Sequence, residues 1–409
     1  MTGVQTCALP ICLRVLDLTW WIAGPLATTQ MAMMGAEVIR LESRVRPDSM
    51  RLTTPFAEGE PGVNRSGRWN SHNFSKKSAS LNLSKPEGHE LAKRLVAQSD
   101  VVLENFAAGV LDRMGLDYET LKSINPRIIL ASVSVVGRDG PKAKYVGFGP
   151  GAIAYSGLGA ITGHKDGPPG TIPPFLADYT TAWHVALSIL ASVHERERTG
   201  LGRRIEISMV EAQSSQLPEA FIDASMNGRV AKPKGNDHAV LAPHGYYPCA
   251  GDDRWISLSV ADDDQWRGFC AVLDGASGRF SKDPRFADGY GRHAHREELD
   301  TLIAEATRQY DPFVLEGHLQ EAGVPAGVAL TPSDLYSDPH LQAREAFVSP
   351  AHPEVGPYPM AGLPWKLSGA PPVVTASPLL GQDDEYVWGE LLGLSPEEMR
   401  SLREAGVLN

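Results

Sequence analysis

The chain has 409 residues, 42 % apolar side chains and a formal net charge of −11, a globular composition too long for one ordinary core. The acidic balance excludes nucleic acid as a general partner, and no apolar run is long enough to span a bilayer. The cysteines at 7, 12, 249 and 270 have neither metal-ligand spacing nor a disulfide framework, which points to a reducing cytoplasm.

Residues 1–11 have no basic start and only a weak apolar centre, so they are not a signal peptide. They read like the in-frame translation of a sequencing-library adapter, and are expected to be a non-native segment. Residues 14–18 then read as a buried strand. Pro25 opens a helix that Gly35 ends, and residues 37–41 form a second strand. Ser84 and Glu87 are spaced as a capping box ahead of a helix that stops near Asp100. Residues 101–103 and 128–130 are further buried strands. This alternation predicts an α/β fold, a doubly wound, Rossmann-like parallel sheet.

Asp178 stands where loop turns into helix. Ala182, Val185, Ala186, Ile189 and Val193 follow on one helical face, and Thr199-Gly200 closes the helix. Ile205, Ile207 and Met209 then alternate as in a half-buried strand. An aspartate at such a position is commonly a structural cap. It is also favoured there by the unpaired N–H groups of the first turn, which should lower its pKa and keep it anionic. From about Ser225 the chain loses periodicity and becomes rich in Gly, Pro, Lys and His. We read this as entry into a smaller α+β domain. That domain has strands at 255–260 and 327–329 and helices at 264–273, 296–307 and 313–322. After Asp334 a Pro-rich stretch leads to helices at 384–392 and 395–405, the last with a capping box at Ser395 and Glu398. The expected division is 12–224 for the large domain, 225–334 for the small one, and 335–409 as a segment returning to the large domain.

The turn after the first strand, Thr19 to Pro25, lacks G-x-G-x-x-G, which disfavours a dinucleotide enzyme. Arg40, Arg44, Arg46 and Arg51 suit a phosphate-bearing ligand or a solvated charge run equally well. His238 and His244 lie six apart with no third ligand by motif, so no metal site is expected.

LADYTTA at 176–182, ERERTGLGRRIEISMVEA at 195–212, and Glu104-Asn105-Phe106 with Leu111 to Leu116 resemble the class III CoA-transferases. That family includes formyl-CoA and carnitine CoA-transferase-like enzymes and α-methylacyl-CoA racemase. The resemblance runs from about Leu13 to the C-terminal helices. It implies an interlocked homodimer and a CoA-transferase acting between an acyl-CoA and a carboxylic acid. No bound cofactor or metal would be needed, and no nucleic acid or membrane would be involved. It makes Asp178 the nucleophile, passing through an aspartyl anhydride and then an enzyme–CoA thioester. By the same resemblance CoA lies against Ile22, Ala23, Arg44, Leu81, Asn82, Asn105, Phe106, Arg113, Lys144, Phe148 and Gly149. Two departures matter. Ile22 stands where the formyl-CoA enzyme has Gln. Phe148-Gly149 stands where the racemase branch has a proton-carrying His followed by Asp. An acyl-CoA racemase and a non-catalytic CoA-binding subunit remain the alternatives.

Overall fold

The computed structural model describes residues 12–170 and 175–409, so the adapter-like segment 1–11 lies outside the described residues. The chain forms two compact units. The larger runs up to Gly159, includes the segment ending at Arg229, and takes in His340–Asn409. The smaller is Val230–Pro339 with a short excursion that begins at Ala160.

In the larger unit the elements are β1 (Arg14–Asp17), α1 (Ala23–Met33), β2 (Glu37–Glu42), β3 (Lys77–Ser80), α2 (Pro86–Val96), β4 (Val101–Glu104), β5 (Ile129–Ser134), α3 (Gly149–Tyr155), α4 (Leu176–Thr199) and β6 (Arg204–Ser208). The helices α5 (Met209–Ser214) and α6 (Pro218–Asn227) follow. The strands make one parallel sheet in the order β3-β2-β1-β4-β5-β6. The order reverses between β1 and β4, the place where open α/β sheets leave a crevice for ligands. Successive side chains point to opposite faces. Leu16, Ile39, Val102 and Leu130 pack with α2 and the C-terminal Trp388, Leu392 and Met399. Val15, Val38, Val101 and Ile129 pack with α1 and α4 through Met31, Val185 and Ile189. Both faces are covered, so the central strands carry apolar residues at successive positions, with Asp17, Arg40 and Glu104 as buried charges toward their carboxyl ends.

The C-terminal return closes the sheet edge. The backbone N–H groups of Ser78 and Ser80 donate to Asp383 and Asp384 at 2.8 and 2.6 Å. Carboxylates thus occupy donors that an open edge would expose.

The smaller unit is an antiparallel sheet of β7 (His244–Pro248), β8 (Trp255–Ser259) and β9 (Ala326–Val328). It carries α7 (Asp263–Leu273), α8 (Arg296–Thr307) and α9 (Pro312–Glu321). Trp266, Phe269, Phe280 and Phe286 form its aromatic core. Lys165, in the excursion, pairs with Asp237 and Glu297 of this unit.

Several local expectations are corrected. The capping box at Ser84 does not form: α2 starts at Pro86 after an uncapped Lys85, because the Ser84 N–H and hydroxyl both donate to the Asn82 side chain. Met209 opens α5 rather than ending β6, and α6 extends structure to Asn227. Cys12 is disulfide-bonded, contrary to the cysteine reading, while Cys249 and Cys270 are free and buried. The capping box at Ser395 and Glu398 is present at the start of α10 (Pro396–Glu404). Among the described residues, no helix is long and apolar enough to cross a membrane.

Candidate active site

A cavity of about 330 Å³ opens at the carboxyl ends of β1, β4, β5 and β6. The loop after β1 supplies Trp20, Trp21 and Ala23, and the loop after β4 supplies Asn105, Phe106, Ala107 and Ala108. Val133 to Val135, the segment from Tyr145 to Gly149, Met209 and Asp178 complete most of the wall. Asp178 is the one carboxylate among the described residues that line it.

Asp178 is not a cap. The N-cap of α4 is Phe175, and Asp178 sits inside the first turn, only 9 % exposed. Its pKa is not lowered, as the helix-start argument predicts, but raised to about 6. Burial raises it and outweighs the opposing hydrogen bonds from its own backbone N–H and from that of Ala23. Ala23 is the first residue of α1, whose N-cap Ile22 offers no side-chain cap, and Phe175 likewise leaves α4 uncapped. Two open helix starts therefore converge on one desolvated carboxylate, and both favour its charged form.

The turn from Thr19 to Ala23 is held at Thr19, Trp20 and Trp21. Asp17 accepts from the Thr19 N–H and hydroxyl at 2.9 and 2.6 Å. Asn105 bonds both the N–H and the carbonyl of Trp20. Asp48 accepts from the Trp21 N–H at 3.1 Å. Trp21 itself stands at φ 65°, a conformation that costs about 1–2 kcal/mol for a residue with a Cβ. Its ring lies 5.4 Å from that of Phe148. Gly24 is required here because a Cβ would collide with Thr19.

Beneath the turn lies an ionic network. Arg40 bridges Asp17 and Asp48 at 3.3 and 2.8 Å, Lys76 reaches Asp17 at 3.0 Å, and Arg51 pairs with Glu42 at 2.9 Å. All these side chains are fully buried. Arg51 also stacks on Trp69. Arg40 and Arg51 are thus engaged inside the protein, which corrects their reading as phosphate ligands. Central strands of a parallel sheet bury both faces, so Arg40 in β2 has no route to solvent.

The residues suggested by resemblance divide into three groups. Ala23, Asn105, Phe106, Phe148, Gly149 and Asp178 share the cavity wall. Ile22 is buried against Met50 and Trp69, Leu81 belongs to the core under α2, and the Asn82 amide donates to the Gly406 carbonyl at 3.1 Å. Arg44, Arg113 and Lys144 are exposed, Arg44 lying 3.5 Å from Asp384. Arg46 lies over the Trp20 ring at 5.4 Å. Sequence reasoning missed Asp17, Asp48 and Met209. Only the position of Asp17 at the end of a buried strand gave any hint. The rings of His238 and His244 lie 4.9 Å apart, but no group of three or more His, Cys, Asp or Glu among the described residues is placed to hold a metal.

The sequence profile of CoA-transferase family III matches residues 13–384. The chain is 34 % identical to the succinyl-CoA–D-citramalate CoA-transferase of Chloroflexus aurantiacus, over 97 % of each chain. It is 31 % identical to a formyl-CoA:oxalate CoA-transferase of Streptomyces coelicolor, over 97 % of this chain and 98 % of that one. The crystal structure of a CaiB/BaiF family protein from Brucella suis superimposes with a TM-score of 0.85. It is 32 % identical and covers 93 % of this chain and 99 % of its own.

Proposed function

The chain belongs to CoA-transferase family III, an enzyme moving CoA between an acyl-CoA and a carboxylate, and from that premise we propose that Asp178 is its nucleophile. The observation that carries this reading is the position of Asp178. It is a buried carboxylate at the topological switch point, with open helix N–H groups beside it and no second carboxylate among the described residues of the cavity wall. Asp178 attacks the thioester carbonyl of the donor. The C–S bond breaks, CoA leaves as thiolate, and an acyl-aspartyl anhydride remains. The thiolate attacks the aspartyl carbonyl, releasing the donor acid as carboxylate and leaving an enzyme–CoA thioester. The acceptor carboxylate then runs the sequence backwards, so no ATP is consumed. A carboxylate is a weak nucleophile, and acceleration comes from desolvation, positioning and N–H donors to the tetrahedral oxyanion. The uncapped start of α3 at Gly149 faces the same cavity and is one source of such donors.

The CoA moiety would run from this cavity toward the exposed cations Arg44, Arg113 and Lys144. The reaction as written uses no tightly bound cofactor. CoA thioesters are intracellular metabolites, which supports a cytoplasmic location. An intertwined homodimer is supported by α6, which buries no residue and exposes Phe221, Ile222 and Met226, and is checked by sedimentation velocity. The non-catalytic subunit reading is disfavoured by a nucleophile lodged in a formed cavity.

The test is chemical. Hydroxylamine added after pre-incubation with acyl-CoA should inactivate the enzyme by trapping an activated aspartate. Asp178→Asn should lose transfer by about four orders of magnitude or more with the fold intact. Near-native turnover by Asp178→Asn would end this reading. Succinyl-CoA, named in the Chloroflexus relative, is the donor to try first, against a panel of carboxylic acids.

A further inference from the structure

The side chain of Asn105 engages both backbone polar groups of Trp20, and so reaches the two peptides that flank that residue. Its Oδ1 accepts from the Trp20 N–H at 2.8 Å, and its Nδ2 donates to the Trp20 carbonyl at 2.7 Å. The opposite amide orientation would set donor against donor and acceptor against acceptor, so the contacts themselves fix it. This two-point clamp ties the loop after β4 to the loop after β1 across the switch point. The Asn105–Phe106 turn is anchored in its own right. The Phe106 N–H donates to Glu104 at 2.9 Å, and the Phe106 carbonyl accepts from Arg138 at 3.1 Å. The clamped residue leads through Trp21, at positive φ, and Ile22 into Ala23.

We propose that Asn105 is a positioning residue, whose carboxamide fixes the Trp20 backbone so that the turn into α1 aims the Ala23 N–H at the Asp178 carboxylate. Its side chain acts on the reaction through the backbone and does not bind CoA. The effect on rate rests on Asp178 being the nucleophile, whereas the effect on the titration of Asp178 does not.

The physical consequence is specific. An N–H aimed at a carboxylate favours its charged form. Loosening the turn removes that help and leaves burial unopposed on one side, so Asp178 should hold its proton to higher pH. Among the described residues the other ionisable groups beside Asp178 are Tyr179, on the same helix, and Tyr145, in the cavity wall. Burial and the Asp178 charge both push Tyr179 up, so it stays neutral.

The test uses Asn105→Ala and Asn105→Ser in the full-length protein. The Asp178 carboxyl is titrated by carbon-13 NMR and assigned against Asp178→Asn. The rate of acyl-enzyme formation and the dissociation constant for CoA are measured alongside. The Asp178 midpoint should rise by about one pH unit, so the rate should fall by about twofold at neutral pH and by about tenfold near pH 5. CoA affinity should change less than about threefold. Asn105→Ser is neutral but too short to span both Trp20 groups, so it should act in the same direction. It carries the same readout if Asn105→Ala does not fold. An unshifted midpoint would overturn the clamp, and decisively so if CoA affinity fell tenfold. A raised midpoint with an unaltered rate would uphold the clamp and refute Asp178 as nucleophile.

Discussion

Asp17 and Asp178 are both buried aspartates at the ligand end of the same sheet, and their surroundings drive them in opposite directions. Burial pushes the Asp17 pKa up, but Lys76, Arg40 and the hydroxyls of Thr19 and Thr28 outweigh it and hold the carboxyl well below the usual carboxylate range. Burial pushes Asp178 up as well, to about 6, and only two backbone N–H groups oppose it. Desolvation is common to both, and the counter-ion decides the outcome. A carboxylate neutralised by Lys76 and Arg40 is a structural part of the turn. One left without a cation is a poorly solvated anion at neutral pH, with free lone pairs and a nearby cavity. The proposed nucleophile is the carboxylate from which a charge partner is withheld.

The comparison is broken most strongly by making the same substitution at both sites. Asp17→Asn leaves Lys76 and Arg40 without a buried counter-charge and should destabilise the protein by about 3–5 kcal/mol. Because the folded Asp17 pKa lies below its unfolded value, its contribution is present at neutral pH and lost as pH falls below the ordinary aspartate range. Asp178→Asn should do the reverse. A folded pKa raised from 3.8 to about 6 means that ionising Asp178 costs folding energy as pH rises through that window. Asn removes this cost, and the variant should be more stable than wild type at about pH 8, on the order of 2 kcal/mol. The gain should shrink as pH is lowered toward about 4. Urea unfolding of both variants across this range checks the two signs. Destabilisation by Asp178→Asn at alkaline pH would mean that Asp178 has a cation the geometry does not reveal.

The arginines extend the contrast. Arg40 and Arg51 are completely buried and matched to carboxylates, while Arg113 is exposed at the end of a short helix. An exposed guanidinium keeps its donors for a ligand phosphate. Arg113→Ala should weaken acyl-CoA binding by about ten- to a hundredfold with little change in unfolding midpoint. Calorimetric titration with CoA reads this directly. An unchanged dissociation constant would put Arg113 outside the CoA path.

The same contrast explains what the sequence could reveal. Strands 14–17, 37–42 and 101–104 were legible because both faces of a parallel sheet are apolar, and Ser395 with Glu398 announced the last helix. The resemblance of LADYTTA pointed to Asp178. Its environment was not legible. A helix start is visible in sequence, but the burial that outweighs the helix dipole comes from α1 and the cavity wall, which are distant in the chain. The pairing of Arg40 with Asp17 and Asp48 was hidden for the same reason, since charge in a strand normally reads as surface. The positive φ of Trp21 has no signature at all, because nothing in a tryptophan favours it. The excursion from Ala160 into the smaller unit is also unmarked, being short and without periodicity.

The smallest expected effect is a null one, and it separates transfer from carbanion chemistry. Moving an α-proton needs a base on one face of the carbon and an acid on the other. Among the described residues of the cavity wall the ionisable groups are Asp178 and Tyr145. Phe148, where the racemase branch carries histidine, is 64 % exposed and its ring faces Trp21. Gly149 removes the neighbouring carboxylate. Asp178, with a pKa near 6, is ionised at neutral pH and could accept a proton, but no histidine or second carboxylate among the described residues lines the cavity to return one. Incubation of the unaltered protein with a 2-methylacyl-CoA in heavy water should therefore leave the α-position unlabelled, while CoA exchange with added carboxylate proceeds. Rapid α-deuteration without net CoA transfer would show that a second proton carrier reaches this cavity, and would make the racemase chemistry of the family the better account of Asp178.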